Sequence, residues 1–264
     1  MTAVVRRQVR LGQLWIDVVS FTEALARIGD LVTSGAGGAV FTPNVDHLVT
    51  AERDDHFRRA YRRADLVVAD GTPVIWAARA VGTPLPQKVS GSDLVIPVAQ
   101  AAARNGWRVY LIGGGPGVAA EAAARLRGMH GTNVVGVDDP RVSPAGVAVA
   151  ETAVLDRIHR AGAQVVLVGF GAPKQELWIE RVRDELAPAV LLAVGAGIDF
   201  VAGTQRRAPR WMSRVGLEWF FRLVREPRRL WRRYLVNDPA ILLLVGRMLR
   251  IPRTGRIRDM PHDA

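Results

Sequence analysis

Short apolar runs alternate with segments of helical periodicity along most of the chain. The runs have the length and composition of buried strands. They lie at 39–42, 66–69, 109–112, 134–137, 165–169 and 190–194. Helical segments lie between them, at 21–33, 45–63, 92–105, 117–127, 145–161 and 174–185. This alternation predicts an α/β fold with a mainly parallel sheet and helices on both of its faces.

Positive charge is concentrated near the C-terminus. Residues 204–264 contain 15 Arg, no Lys and five acidic residues, a net charge of +10, whereas residues 1–203 carry +1 of the total +11. We therefore predict a core domain at 1–203 and a basic helical C-terminal appendage at 204–264. Such a segment is typical of a surface for an anionic partner: nucleic acid, anionic lipid or a phosphorylated substrate.

Other features of the composition bear on location. The chain has no cysteine, which excludes disulfides and thiolate metal sites. Its basic start, at 1–10, is not followed by the apolar run of a leader peptide. The most apolar stretches, at 190–194 and 241–245, fall short of the roughly 18–20 residues that span a bilayer. We expect a cytoplasmic protein whose contact with a membrane, if any, is peripheral.

Glycine-rich and polar loops follow five of the predicted strands. Ligands of a parallel sheet collect at the carboxyl ends of its strands, so these loops are candidates for a site. They lie at 41–46, 69–73, 113–117, 169–176 and 195–200. Gly113, Gly114 and Gly171 predict backbone N–H groups that approach a phosphate at a helix N-terminus. The alternative is a tight turn that requires positive φ and binds nothing.

The loop at 113–117 lacks the spacing of the common nucleotide motifs. No Gly-Lys-Ser/Thr follows it, so it is not a P-loop. The G-x-G-x-x-G pattern is absent, and we expect no acidic residue at a strand end about 20 residues later. Both points disfavour an NAD-dependent dehydrogenase. The five histidines show no metal-ligand spacing, so we predict structural or solvated histidines and no metal site.

Asp70 is the candidate general base. It directly follows a predicted strand and precedes Gly71, a position from which a carboxylate reaches a substrate hydroxyl. The alternative is an Asx-turn, or the N-cap of a helix that begins near Pro73.

Two further segments offer polar contacts. Lys88 and Asp93, around Gly91, predict a clamp for a phosphate and a hydroxyl; the alternative is a surface loop in which Ser92 caps a helix. Gln175, just inside a helix, predicts a hydrogen bond to a sugar; the alternative is a solvent-facing side chain.

Five motifs occur in a specific order and spacing. They are T-P-N-V-D-H at 42–47, A-D-G at 69–71, K-V-S-G-S-D at 88–93, G-F-G-A-P-K-Q-E at 169–176 and G-A-G-I-D-F at 195–200. Together they resemble the WecG/TagA/CpsF family of glycosyltransferases. The segments at 207–211, 216–219, 225–229 and 233–234 are also similar to that family, so the resemblance covers residues 41–235.

The resemblance implies a Rossmann-like core with an arginine-rich appendage. It implies an inverting transferase that moves N-acetylmannosamine, or a related hexose or uronic acid, from a UDP-sugar to an undecaprenyl-diphosphate-linked saccharide of a teichoic acid, capsule or other exopolysaccharide. The expected catalytic residues are Asp70 as the base, Thr42, Asn44, Arg222, Arg229 and Arg232. The expected substrate-binding residues are Lys88, where the family commonly has Arg, Gly91, Asp93, Gly113, Gly114, Gly171, Lys174, Gln175, Gly195 and Asp199.

Inverting transfer also requires positive charge beside the departing diphosphate. Many UDP-sugar transferases use a divalent metal held by Asp-x-Asp, which this sequence lacks. We therefore predict a metal-independent enzyme without a cofactor, in which helix N-termini and tail arginines stabilise the diphosphate.

The tail predicts a membrane contact. Residues 211–225 predict one helix, and Pro227 begins a second. In the second helix Trp231, Tyr234 and Leu235 share a face opposite several arginines, which suits an anionic membrane interface. The alternative is a helix docked on the core with solvated arginines. We expect peripheral binding at the inner face of the cell membrane and no nucleic acid, because no nucleic-acid module is present; a homo-oligomer stays open.

Two rival functions remain at this point. One is a cytosolic nucleotide-sugar-modifying enzyme, such as a dehydrogenase or epimerase, which redox activity with NAD would favour. The other is a non-enzymatic adaptor that binds RNA or membrane through its basic tail, which salt-sensitive RNA binding without UDP release would favour.

Overall fold

The computed structural model describes residues 6–209, 212, 217–225, 227–231 and 240–260. The strands are β1 (Arg6–Leu11), β2 (Leu14–Asp17), β3 (Gly38–Phe41), β4 (Leu66–Val67), β5 (Val109–Gly113), β6 (Val134–Asp138), β7 (Val165–Gly169), β8 (Val190–Ala193) and β9 (Ile257–Met260). The first helices are α1 (Phe21–Thr33), α2 (Val45–Ala51), α3 (Asp55–Arg62), α4 (Thr72–Ala80), α5 (Gly91–Asn105) and α6 (Val118–His130). The later helices are α7 (Glu151–Arg160), α8 (Lys174–Val182), α9 (Gly197–Ala202), α10 (Glu218–Arg225), α11 (Pro227–Trp231) and α12 (Ala240–Leu249), followed by a 3₁₀ turn at Arg253–Arg256.

The central sheet has six parallel strands in the order β4-β3-β8-β7-β5-β6. These are the six strands that the apolar runs predict, so the predicted parallel α/β sheet is confirmed. All six end at the same edge, which collects the loops that follow them.

Alternate residues of each strand enter two separate cores. In β7, Val166 and Val168 belong to one core, and Val165 and Leu167 to the other. Helices α2, α3, α4, α7, α8 and α12 cover the first face, and α1, α5, α6 and α9 cover the second. Helices on both faces of a parallel sheet make the fold Rossmann-like, as predicted.

A second, antiparallel sheet pairs the first and the last described strands, and the apolar pattern does not predict it. Its order is β2-β1-β9, so the C-terminal strand pairs with the N-terminal hairpin. Asp17 fastens this hairpin to the main sheet. Its buried carboxylate pairs with Arg6 and Arg27 and accepts the Val67 N–H at 2.8 Å. The hairpin therefore supports β4, the strand that leads to Asp70.

Two predicted helices differ from the observed ones. The segment 45–63 is divided into α2 and α3, because Asp54 caps α3 by accepting the Phe57 N–H at 3.0 Å. The segment 145–161 becomes helical only at Glu151, since Val142 and Ala148 form a β-bridge before it.

The predicted helical appendage is not confirmed as a separate unit. Helices α10, α11 and α12 lie within 204–264, but 210–211, 213–216, 226, 232–239 and 261–264 lie outside the described residues. Leu244 and Met248 of α12 are buried against the core, and the Gly12 N–H contacts Met248 Sδ at 2.9 Å. The domain boundary at 203 stays a prediction.

Candidate active site

The loops after β3 and β4 bring three predicted catalytic residues together. The Asp70 N–H donates to the Pro43 carbonyl at 2.9 Å, which joins the two loops. Thr42 is buried, and its hydroxyl donates to the carbonyl of the last residue of β8 at 3.4 Å. Asn44 caps α2, its side-chain oxygen accepting the His47 N–H at 3.4 Å. Thr42, Asn44 and Asp70 therefore lie at one edge of the sheet.

Helix capping does not account for Asp70. The N-cap of α4 is Gly71, which has φ of 96° and makes no side-chain capping bond. Glycine adopts this backbone conformation without strain. The Asp70 side chain is half-buried beside this turn.

Helix α5 begins directly against the β3 and β8 loops. Its first residue, Gly91, is buried, and a Cβ there would lie 2.7 Å from the Ala193 carbonyl oxygen and 2.8 Å from Thr42 Oγ1. Both distances are shorter than van der Waals contact, so the approach requires glycine. The partial positive charge of the α5 N-terminus consequently lies at the edge that carries Thr42.

The segment before α5 runs beside the A-D-G loop. The Val89 N–H donates to the Ala69 carbonyl at 2.8 Å. Lys88 and Asp70 are the chain neighbours of these two bonded residues, so the predicted cation and the predicted base lie on adjacent stretches of backbone. Lys88 is half-buried there.

Asp93 has a partner that the sequence argument missed. Its carboxylate forms an ion pair with Arg207, which also donates to the Ser92 carbonyl at 2.6 Å and lies over the Phe200 ring at 5.1 Å. Arg207 thereby holds the start of the tail against α5 and α9. It stands in the R-A-P-R-W segment at 207–211, which was the available signal for it.

Gln175 connects the loops after β7 and β8. It is 3% exposed, and its side-chain oxygen accepts the Gly195 N–H at 3.1 Å. Its side-chain nitrogen donates to Glu176 at 2.7 Å. Gln175 is therefore part of the loop framework, and the predicted sugar contact is restricted to its remaining N–H.

Other predicted binding residues surround this pair of loops. Gly171 and Gly195 have φ of 75° and 53°, and a Cβ on either would meet open space. Lys174 is the first residue of α8, and Asp199 lies in the first turn of α9. The backbone at these positions therefore leaves room for a ligand.

Gly113 and Gly114 lie farther along the edge. A Cβ on Gly113 would lie 2.6 Å from the Gly169 backbone, and the Gly114 N–H donates to the Gly169 carbonyl at 3.1 Å. Close packing of β5 on β7 thus requires glycine at 113, whereas Gly114 has φ of 78° and a Cβ there would lie 2.9 Å from the Val118 side chain. The predicted phosphate contact of both residues stays a prediction. Since β5 is three strand spacings from β3, these residues lie about 14 Å from the Thr42 loop.

Our expectation of no acidic residue at the next strand end is wrong. Asp138 is the last residue of β6, 21 residues after Gly117. Its carboxylate accepts the Tyr110 hydroxyl at 2.6 Å and pairs with Arg157 at 2.7 Å. The predicted strand stopped at Val137 because the apolar run ends there. The G-x-G-x-x-G spacing is still absent.

A buried aromatic pair lies beneath the Asp70 loop. His47 Nδ1 and the Tyr61 hydroxyl are 2.6 Å apart, and both side chains are buried. Burial raises the pKa of Tyr61 well above its ordinary value, and the negative charges of Glu176, Asp70 and Asp46 raise it further. The phenol therefore keeps its proton. His47 itself is buried, so the solvated alternative does not apply to it.

The predicted tail residues are only partly described. Arg222 lies on α10 and Arg229 on α11, but their side chains, and all of Arg232, Tyr234 and Leu235, lie outside the described residues. Their catalytic and membrane roles stay predictions.

Two further findings, on metal sites and on membrane-spanning helices, apply to all the residues that the structure describes. Among them, no group of three or more His, Asp or Glu side chains could hold a metal ion. Within the same ranges, no helix has the length and apolar character to cross a membrane. Metal independence itself stays a prediction.

Nearly the whole chain matches one family model. Residues 9–255 match the model described as "Glycosyl transferase WecG/TagA/CpsF family". The match includes the five loop motifs and the tail as far as residue 255.

Proposed function

The chain belongs to the WecG/TagA/CpsF family of glycosyltransferases, which act in cell-surface polysaccharide synthesis, and we propose the specific reaction that it catalyses. Its donor is a UDP-sugar carrying N-acetylmannosamine or a related hexose or uronic acid. Its acceptor is a saccharide linked to undecaprenyl diphosphate, on the way to a teichoic acid, capsule or other exopolysaccharide. The main support for the proposal is that Thr42, Asn44 and Asp70 lie together at one edge of the sheet, on two loops joined by a backbone hydrogen bond.

Asp70 is the proposed base. An acceptor hydroxyl attacks the anomeric carbon of the sugar while the bond from that carbon to the UDP oxygen breaks. The hydroxyl proton passes to the Asp70 carboxylate, and the electron pair of the broken bond leaves with UDP. Attack from the face opposite UDP inverts the anomeric configuration.

Fixed positive charge stabilises the departing diphosphate. Lys88 lies beside the Asp70 loop, and the α5 N-terminus lies against Thr42. A Cβ on Gly171 or Gly195 would meet open space, so the β7 and β8 loops leave room for the donor beside these groups. Arg222, Arg229 and Arg232 complete the charge when the tail covers the edge. This arrangement supports transfer without a metal ion.

Helix α12 supports a peripheral contact with the inner face of the membrane. Leu242 and Leu243 are 75% and 70% exposed, whereas Leu244 is 4% exposed. Arg247 and Arg250 are exposed on the same segment, which suits anionic lipid. The helix packs on α2 and α4, which begin at the T-P-N and A-D-G loops. Its neighbours on α2 are Val49, Glu52 and Arg53, at the C-terminal end of that helix, so the proposed membrane contact lies away from the T-P-N loop.

One experiment tests the proposed reaction. The protein is incubated with a panel of UDP-sugars and polyprenyl-diphosphate-linked acceptors, and the product mass and released UDP are measured. We expect one donor to give a product heavier by one sugar residue, with equimolar UDP and an inverted anomeric centre by NMR. Absence of product with every donor, at a protein concentration that supports UDP binding, would refute this substrate assignment.

A further inference from the structure

A chain of buried polar contacts runs beneath the β3, β7 and β8 loops. Glu176 is fully buried, and its Oε1 accepts the Gln175 side-chain N–H at 2.7 Å. The same oxygen lies 4.0 Å from His47 Nδ1, which contacts Tyr61. At the other end, Gln175 accepts the Gly195 N–H. Gln175 and Glu176 of α8 therefore connect the β8 loop with α2, and His47 of α2 continues the contacts to Tyr61 of α3.

These contacts determine which way the Gln175 amide lies. The Gly195 N–H can only donate, so it requires the amide oxygen, while Glu176 Oε1 accepts from the amide nitrogen. If the amide were reversed, its nitrogen would face the Gly195 N–H and its oxygen would face Glu176 Oε1. A buried donor or acceptor that loses its hydrogen-bond partner destabilises the fold. A single orientation is thus strongly preferred, and it leaves one N–H of Gln175 uncommitted by these two contacts.

Stability does not explain a carboxylate at this position. Complete burial of a carboxyl group carries a desolvation cost of several kcal/mol if it is ionised, and an apolar side chain of similar volume is often as stable or more so. Neighbouring α8 residues that face the core, Trp178 and Ile179, are apolar. Glu176 is therefore a departure from the apolar face of its own helix.

We propose that Glu176 is a positioning residue for the donor substrate. Its oxygen orients the Gln175 amide, so that the second amide N–H is presented to a sugar bound between the β7 and β8 loops. The same contact keeps the Gly195 loop in place. This inference rests on the proposed function, because the sugar contact of Gln175 belongs to that function.

The first test measures orientation without any activity. Glu176→Met removes the acceptor at similar volume, Glu176→Gln retains an acceptor oxygen, and Gln175→Ala removes the whole link. Glu180→Met, on the same helix, is the matched control, because Glu180 pairs only with the surface residue Arg63 in the contacts observed for it. Amide hydrogen exchange of Gly195 is followed by NMR. We expect exchange at least about tenfold faster in Glu176→Met and Gln175→Ala, with Glu176→Gln and the control near wild type.

The second test measures transfer with the donor found in the panel. We expect Glu176→Met to lower kcat by about 10–100-fold and to raise the donor KM, with recovery in Glu176→Gln. In the Gln175→Ala variant, adding Glu176→Met should lower kcat by less than about a further twofold, because the two residues act as one unit. Thermal unfolding verifies that each variant is folded at the assay temperature.

The outcomes separate the inference from the proposed function. Unchanged Gly195 exchange in Glu176→Met, or losses that multiply in the double variant, would overturn the positioning role. If Glu176→Met does not fold, Glu176→Gln decides: a loss of kcat as large as that of Gln175→Ala also overturns it. If no UDP-sugar reacts with the wild-type protein, the proposed function fails, while the exchange experiment still decides the orientation of Gln175.

Discussion

The variant Asp70→Asn tests the role of the proposed base while leaving the fold intact. The substitution keeps the size of the side chain and removes its negative charge. The hydrogen bond that joins the two loops uses the Asp70 backbone N–H, which the substitution leaves in place, and α4 takes its N-cap from Gly71. We therefore expect the free energy of unfolding to change by less than about 1 kcal/mol.

The expected effect on turnover follows from the role of a base. Proton transfer by a positioned group contributes about 10²–10⁴-fold to the rate, or about 2.7–5.4 kcal/mol of barrier. Because Asp70 acts on the acceptor hydroxyl, the Kd for UDP and the donor KM should change by less than about threefold. The loss should therefore appear almost entirely in kcat.

The assay follows UDP release and product mass at saturating acceptor, with calorimetry for UDP binding. Asp55→Asn is the matched control, since the Asp55 side chain is 77% exposed and pairs with Arg58 on the surface of α3. Its kcat should stay within about twofold of wild type. An Asp70→Asn enzyme with kcat within threefold of wild type would remove Asp70 from the mechanism.

Three further predictions concern the diphosphate and the tail. Transfer should survive EDTA, because the proposed cations are side chains and helix N-termini; complete loss that Mg²⁺ or Mn²⁺ restores would contradict this. Leu243→Asp should reduce sedimentation with phosphatidylglycerol vesicles by at least about fivefold without lowering the Tm. Leu244→Ala should instead lower the free energy of unfolding by about 2–5 kcal/mol. If the two variants changed vesicle binding and stability equally, the orientation of α12 would be contradicted. Alanine variants of Arg222, Arg229 and Arg232 are assayed with a short soluble acceptor, which removes the need for membrane docking. We expect at least one of them to lose about 10²–10³-fold in kcat, and full activity in all three would limit the tail to membrane anchoring.

The structure changes how the tail should be tested. From the charge boundary at 203, the tail looks removable. A chain cut there would lose β9, which pairs with β1, and the buried Leu244 and Met248. Burial of two such side chains contributes about 3–6 kcal/mol, so truncation would confound function with unfolding. Single substitutions are the sharper experiment.

Local pattern was sufficient for the main sheet and for the position of its loops. The strands are buried on both faces of the sheet, and such burial requires consecutive apolar residues, as at Val165 to Val168. The loop motifs then fall at the carboxyl ends because every strand of a parallel sheet ends at the same edge. Asp70 could therefore be proposed from its position after a strand, whereas Thr42 and Asn44 came from the family resemblance. The three residues lie together because β3 and β4 are neighbours in the sheet.

Only the tertiary structure decided the partners of the polar side chains. Asp93 and Arg207 are 114 residues apart, and no local periodicity relates them. Glu176 has a charged side chain in the P-K-Q-E motif, yet it is fully buried, with its Oε1 4.0 Å from His47 Nδ1 of α2. The sequence by itself thus determined which strands form and where ligands collect, since burial of apolar runs is a local property. Strand order, the pairing of β9 with β1 and the contacts of buried polar groups came from three-dimensional packing, because hydrogen bonds and ion pairs depend on distances that sequence spacing does not encode.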